Sequence, residues 1–508
     1  MNLLSSTSIY SFYTLISRAL GYIRDILIAI FLGASIYADA FFVAFRIPNT
    51  FRRLFAEGVF NAAFIPSYAQ EKIKNKKKGK NFADDVLLLL TLVLLFVVLL
   101  VEVFTPFVVY LIAPGFFNNI EKFNLAIELT RITFPFLFFV SLSSFFSGIL
   151  NSNNKFAAAA AAPIILNIIL ILSLIVSYIY RLDFSKNLSY GVTFAGIIQL
   201  VFLIFVTRKY YKPKLIFKLN ISSKVKFFLK RLLPSIFSSG VTQINILVGT
   251  IIASFETSAV SYLYYADRVY QINLAIAGIA VGTVSLPALT KALKKKNIFN
   301  VKKIQNKSIE LSLLLSIPGS LGLIIAAEEI ANALFGYGSF SEKNVIITAQ
   351  AIKYFGYGVP AFALIKVLSN FFFARDNTMT PFYLSFFVVL SNIIISLSFF
   401  KEIGFIIIPI STSISTWIGV LIYIFLLNKN NFIMIEKYLF KNIFKIAISA
   451  ILMSLILFFG LDYFDENLAY DNKFKSIYLI FIVGFVATFY LVSCYLLGVL
   501  KIKNYKTN

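Results

Sequence analysis

Histidine is absent from this 508-residue chain, and cysteine occurs once, at Cys494 in an apolar segment. Without histidine there is no imidazole general base, no histidine zinc ligand and no histidine-dependent triad. A lone cysteine forms no disulfide within the chain and no cysteine-based metal site. Acids are scarce too, 23 against 47 Lys+Arg. Adjacent acids occur at Asp84-Asp85, Glu328-Glu329 and Asp465-Glu466, and only the first pair adjoins a lysine-rich loop. A magnesium-dependent transferase acting on a polyprenyl phosphate needs carboxylates at the cytoplasmic face. Asp84-Asp85 is the one opening for such chemistry, and negative charge at a helix start explains it more simply. The expectation is a protein that is not an enzyme, with no cofactor and no metal.

Charged residues make up 14% of the chain and hydrophobic ones 59%, with a mean hydropathy of +0.84. A soluble domain is about one-quarter charged, so this is a multi-span membrane protein. Val86 to Val109, Ala157 to Tyr180 and Ile477 to Leu500 each match the roughly 20 apolar residues that cross a bilayer as helix. Strands are excluded because lipid leaves no partner for an open sheet edge, and the alternation of a barrel is missing. Met1 to Gly33 reads as a retained span, since Arg18 and Arg24 interrupt its apolar run. The net charge of +24 sits in short lysine-rich loops, which points to topology and anionic membrane lipids rather than nucleic acid. Part of that excess is consistent with AT-rich coding.

The loops alternate. "EKIKNKKKGK" (71–80), Arg208 to Arg231 and "KALKKKNIFNVKKIQNK" (291–307) are basic. "APGFFNNIEK" (113–122), "SFETSA" (254–259) and "FGYGSFSEKN" (335–344) are near neutral, and 461–475 is acidic before a basic tail. By the positive-inside rule the basic loops and both termini are cytoplasmic, with about fourteen helices between them.

Landmarks recur in order. Tyr37-Ala38-Asp39 returns as Tyr265-Ala266-Asp267, "FIPSYAQ" (64–70) as "SLPALTK" (285–291), "LIAPGF" (111–116) as "ALFGYGSF" (333–340). "GILNSNNKFAAAAAAP" (148–163) returns as "FFFARDNTMTP" (371–381), and matched landmarks stay 218 to 228 residues apart. This predicts an all-α integral membrane protein with two pseudosymmetric six-helix lobes, 1–215 and 216–430, followed by two further helices and a tail in 431–508. Two such lobes around a cavity are a transporter architecture.

Within these spans lie charges that hydrocarbon does not tolerate. Arg18 and Asp25 share a helical face at seven residues' spacing, and so do Asp39 and Arg46. Thr50, Arg53 and Glu57 continue along the second span beyond Pro48, which is expected to bend or break the helix, and Asp267-Arg268 opens the eighth. Four or five arginines at mid-membrane cost on the order of 10–15 kcal/mol. Either they pair with Asp25, Asp39, Glu57 and Asp267 or snorkel from helix ends, or they face a water-filled cavity that binds an anion. Arginine stays protonated when desolvated and its planar fork fits phosphate oxygens, so several of them suggest a diphosphate.

"SRALGYIRDILIA" and "ADAFFVAFRIPNTFRRLFAEGVFNAAFIP" closely resemble the N-terminal signature of the MurJ (MviN) family of lipid II flippases, in the multidrug/oligosaccharidyl-lipid/polysaccharide exporter superfamily. "LYYADRVYQINLAIAGIAVGTVSLP", "GILNSNNKFAAAAAAPIILNI" and "LFGYGSF" are similar to further family segments. The resemblance implies transport of undecaprenyl-diphosphate-linked disaccharide-pentapeptide from the inner to the outer leaflet of the bacterial cytoplasmic (inner) membrane, for peptidoglycan synthesis. It implies Arg18, Arg24, Arg52 and Arg268 on the diphosphate. Asp25, Asp39, Asn49, Arg53, Glu57 and Asp267 would support the cavity or its gate. Partners would be lipid II, membrane lipids and cell-wall synthesis proteins. Asn273 stands where relatives often carry proline, and Phe372 where a sodium-ligating oxygen is expected beside Asp376; ion coupling is left open. The alternative is another exporter of the superfamily, a polysaccharide-lipid flippase or a cation/drug antiporter. The antiporter predicts a cavity dominated by acids.

Overall fold

Short polar residues between the apolar runs start the helices. Asn75, Asn119, Asp183, Asn297 and Ser341 each accept a backbone N–H from the first turn that follows, the bond that satisfies an otherwise orphaned donor. A computed structural model of the chain describes residues 3–56, 59–214 and 223–500, the side chains of 3–10, 51, 53–56, 59, 62, 223, 231 and 233–242 excepted.

The described residues form twenty α-helices and no strand. In order they are α1 (Leu3–Leu32), α2 (Ile36–Ala56), α3 (Val59–Lys74), α4 (Lys76–Val103), α5 (Thr105–Ile112), α6 (Ile120–Thr133) and α7 (Phe136–Ser152). Next come α8 (Phe156–Tyr180), α9 (Phe184–Thr207), α10 (Ser223–Ala253), α11 (Ala259–Leu274), α12 (Val281–Lys294), α13 (Ile298–Ile325) and α14 (Ala327–Phe335). The chain continues through α15 (Glu342–Phe373), α16 (Met379–Ile403), α17 (Ile407–Lys429), α18 (Lys437–Tyr463), α19 (Asp465–Leu468) and α20 (Lys475–Leu496).

Ten stretches are long and apolar enough to cross a membrane, and one of them, Met379–Lys429, holds both α16 and α17. The charged α1 and α2–α3 lie outside the ten, as does α10, whose apolar part is Gln243–Ala253. With these included, the described residues supply the fourteen spans expected of an all-α integral membrane protein.

Packing gathers the helices into two compact units, Met1–Ser261 and Tyr262–Asn508. In the first, α1 lies on α8, α2 on α6 and α7, and α10 on α2, α3 and α4. Its core stacks Phe60, Phe64, Tyr68, Phe82, Phe145 and Phe228, with ring centroids 5.1–6.3 Å apart. In the second, α15 packs on α13 and α17. Of the two helices beyond the repeat, α18 docks on α13 with Ile446, Ala450, Met453 and Leu457 in the shared core, and α20 packs on α18 and α14.

The repeat extends to the backbone. Asn154 and Asp376, 222 residues apart, both adopt left-handed φ of 57° and 59°. The same two hydrogen bonds close each turn, Asn153 and Lys155 N–H to Leu150 O, and Arg375 and Asn377 N–H to Phe372 O. Prolines are handled alike. Pro48 does not break α2, contrary to one sequence expectation. A proline frees the carbonyl four residues earlier, and here the Thr133 hydroxyl on α6 donates to Ala44 O at 3.0 Å. Pro360 frees Gly356 O, which accepts from Ser320 Oγ at 2.7 Å, and Pro318 frees Leu314 O, which accepts from Tyr490 Oη at 2.7 Å. With no water in the bilayer core, these hydroxyls satisfy the carbonyls that the prolines leave free.

The eighth span runs unbroken over Ala259–Lys294, but a π segment, Ala275–Ala280, joins α11 to α12 directly after Asn273 and Leu274. Such a segment re-aims a helix without proline.

Candidate functional site

Arg18 and Asp25 stand on one face of α1, yet they do different things. Arg18 is exposed, whereas Asp25 is 2% exposed where α8 covers the helix. Asp25 pairs with its neighbour instead. The Arg24 side chain, 6% exposed, folds back so that Nε and Nη2 donate to Asp25 Oδ1 at 2.9 and 2.6 Å. Its Nη1 donates to Asn167 Oδ1 on α8 at 2.9 Å, and Asn167 Nδ2 donates to Ser17 O at 2.8 Å. Gly21 faces this amide, and a Cβ there would lie 3.7 Å from Asn167 Nδ2, an ordinary contact. The amide therefore aims the guanidinium and stitches α8 to α1. Asn167 lies inside "PIILNI" and is not among the site residues that the sequence motifs suggest. An apolar helix carrying a lone amide is the signal that would have found it.

Asp39 is enclosed rather than lining a cavity of its unit, with 0% exposure. Its Oδ2 accepts from Lys122 Nζ at 2.6 Å, and its Oδ1 from Ser261 N at 2.8 Å and from the Ser261 hydroxyl. Lys122 is itself 4% exposed and lies 4.0 Å from the Phe116 ring centroid. The sequence leaves the partner of Asp39 open; Lys122, which reads there as a loop lysine, forms its ion pair. Both residues sit at the neutral-loop ends of their helices, which is how topology could have paired them.

Further along α2, half-buried Arg52 donates through Nε to Asn49 Oδ1 at 3.0 Å. Arg46 is half-buried nearby. The Arg53 side chain and Glu57 lie outside the described residues. On α11, Arg268 donates through Nη2 to Tyr264 Oη at 2.9 Å and sits 4.8 Å from that ring's centroid, a cation–π contact one turn back. Asp267 accepts from Gln271 Nε2. The structure thus assembles Arg24 with Asp25, Asn49 with Arg52, and Arg268 with Tyr264, and it sets Asp39 apart in its own pair.

Among the described residues no cluster of three or more His, Cys, Asp or Glu is built to hold a metal. Asp84 has other work, accepting from Tyr211 Oη at 2.5 Å and Lys214 N at 3.1 Å. This ties the connection after α9 to the third turn of α4, whose first turn holds no acid, so the Asp84-Asp85 pair does not sit at a helix start as the sequence suggests. Burial beside Asp84 pushes the Tyr211 hydroxyl well above its ordinary pKa. Phe372, where a ligating oxygen was looked for, is fully buried between Tyr423 and Phe432, with ring centroids 6.1 and 5.8 Å away.

Comparison with known proteins places these features. The family model "Lipid II flippase MurJ" matches residues 28–479. A probable lipid II flippase MurJ of Rickettsia prowazekii is 37% identical over 470 residues, 92% of each chain. One from Buchnera aphidicola subsp. Baizongia pistaciae is 32% identical over the whole of both chains. A solved lipid II flippase MurJ in an inward closed conformation superposes with a TM-score of 0.83 at 27% identity, over 96% of this chain and 98% of that one. An inward-facing multidrug resistance MATE family transporter of the MOP superfamily shares the fold, with a TM-score of 0.68 at 13% identity, over 84% and 97%. The chain belongs to the MurJ family of lipid II flippases.

Proposed function

We propose that this multi-pass membrane protein carries lipid II, an undecaprenyl-diphosphate-linked disaccharide-pentapeptide, from the inner to the outer leaflet of the bacterial inner membrane, and that Arg18, Arg24, Arg52 and Arg268 grip its diphosphate. The observation that carries this is a charge imbalance. Among the described residues, α1, α2 and α11 bear Arg18, Arg24, Arg46, Arg52 and Arg268 against Asp25, Asp39 and Asp267, and Lys122 already neutralises Asp39. Cations outnumber acids on these helices, and charge inside a bilayer costs about 3 kcal/mol per group, so the balance favours an anionic guest. The same excess disfavours a cation antiporter, whose fold this chain shares.

Substrate binding is a competition. Arg24 keeps two of its five N–H donors beyond those used by Asp25 and Asn167, and a diphosphate doubles the negative charge offered to it. Arg18, exposed six residues earlier on α1, meets the head group first. Transport proceeds by alternating access of the two six-helix lobes, 1–215 and 216–430, with the prenyl chain left in lipid and no covalent step. Membrane voltage favours outward movement of an anion by about 2.3 kcal/mol per charge per 100 mV. The basic loops and both termini face the cytoplasm, where cell-wall synthesis proteins supply the substrate. Purified protein in liposomes tests this: lipid II translocation should accelerate with an inside-negative voltage and vanish in Arg24→Met/Arg268→Met. Equal rates in the variant and wild type would refute it.

A further inference from the structure

The most enclosed span of the second unit, α15, carries a cation that the arginine site does not use. Ala363, Val367 and Asn370 are buried on α15 while Lys366 among them is exposed. Its side chain lies against the π segment of the eighth span. A Cβ on Gly278 would stand 3.2 Å from Ala363 Cα and 3.5 Å from Lys366 Cγ, and one on Gly282 would stand 3.5 Å from Lys366 O. Gly278 therefore lets the backbone of α15 approach at Ala363, and the stem of the lysine lies in ordinary contact distance beside it. One turn on, Asn370 Nδ2 donates to Gly282 O at 2.7 Å and to Ser285 Oγ at 3.1 Å, which fixes this register.

Snorkelling to the basic interface does not account for Lys366. Helical side chains lean toward their own N-terminus, and α15 starts at the neutral loop 335–344. The lysine therefore leans back toward the membrane middle, where Gly278 sits midway along the Ala259–Lys294 span. No described carboxylate lies within ion-pair distance of its ammonium. Gly278 follows Arg268 by ten residues, about 15 Å at the rise of a helix.

We infer that Lys366 is a second anion-holding residue of the C-terminal unit, taking an oxyanion of the substrate head group about 15 Å nearer the basic loops than Arg268. This rests on the proposed transport of lipid II. That head group carries oxyanions of two kinds, the diphosphate and the carboxylates of its peptide. A lysine ammonium is a compact charge that serves either.

The test is a titration of the purified full-length protein with lipid II and, separately, with undecaprenyl diphosphate, which lacks sugar and peptide. Wild type is compared with Lys366→Met, Lys366→Gln, Lys366→Arg and Arg268→Met, each checked for an unchanged melting temperature. The methionine and glutamine variants should bind lipid II about tenfold more weakly, and the arginine variant within about twofold of wild type. An equal loss with undecaprenyl diphosphate assigns the oxyanion to phosphate; undiminished binding of that ligand assigns it to a peptide carboxylate. Wild-type affinity for lipid II in folded Lys366→Met or Lys366→Gln overturns the inference while leaving the arginine site standing. No loss of affinity in folded Arg268→Met overturns both.

Discussion

Replacing Lys122 with methionine would leave the Asp39 carboxylate buried with Ser261 as its remaining partner. At the observed 2.6 Å, the gross attraction is about 6 kcal/mol for an effective dielectric near 20. Desolvation offsets much of this in the intact pair, but removing one partner exposes the full cost of the other, roughly 3–5 kcal/mol. Asp39→Asn strands the lysine in the same way, although the amide that replaces the carboxylate can still accept from Ser261. The double variant Asp39→Asn/Lys122→Met buries no charge and should recover most of the loss. Thermal unfolding in detergent should therefore show both single variants lowered by on the order of 10 °C and the double variant within a few degrees of wild type. A double variant as unstable as the sum of its singles would refute the pairing, because independent sites add and coupled ones do not.

Other expectations follow from the same structure. Asn167→Asp keeps an acceptor for Arg24 but adds a charge that competes with the diphosphate; lipid II affinity should fall about tenfold with protein abundance unchanged. Thr133→Val uncaps the carbonyl freed by Pro48 and should cost about 1–2 kcal/mol in unfolding experiments, a loss that adding Pro48→Ala should largely abolish. Glu71, in the last turn of α3 at the lysine-rich loop, is held below its ordinary pKa chiefly by the hydrogen bond from Lys224, with help from Lys74. Its contribution to stability is present above the ordinary carboxylate value and fades as pH falls through the lowered one. Glu71→Gln should flatten the acid limb of a melting-temperature profile below about pH 5.

Much of this architecture is legible in the chain because it rests on strong local signals. Apolar run length and lysine placement set the spans, and the repeated polar turns at 148–163 and 371–381 mark equivalent backbone turns at Asn154 and Asp376. Helix phase alone misassigns partners: spacing links Arg18 to Asp25 and Asp39 to Arg46, whereas the ion pairs are Arg24 with Asp25 and Lys122 with Asp39. Those choices depend on which helix covers which, a long-range fact that no i, i+7 pattern contains. The same holds for Pro48, whose break is averted by a hydroxyl from another helix, and for Lys366, which reads as one more lysine until α15 is seen against the π segment.

The most direct test of the central claim is the leaflet distribution of lipid II in growing cells whose native flippase has been replaced by the variant Arg18→Met/Arg24→Met/Arg52→Met/Arg268→Met at normal abundance. The precursor should accumulate in the inner leaflet, with none accessible from outside, before the cells lyse. Outer-leaflet lipid II at the wild-type level in that strain would contradict the account.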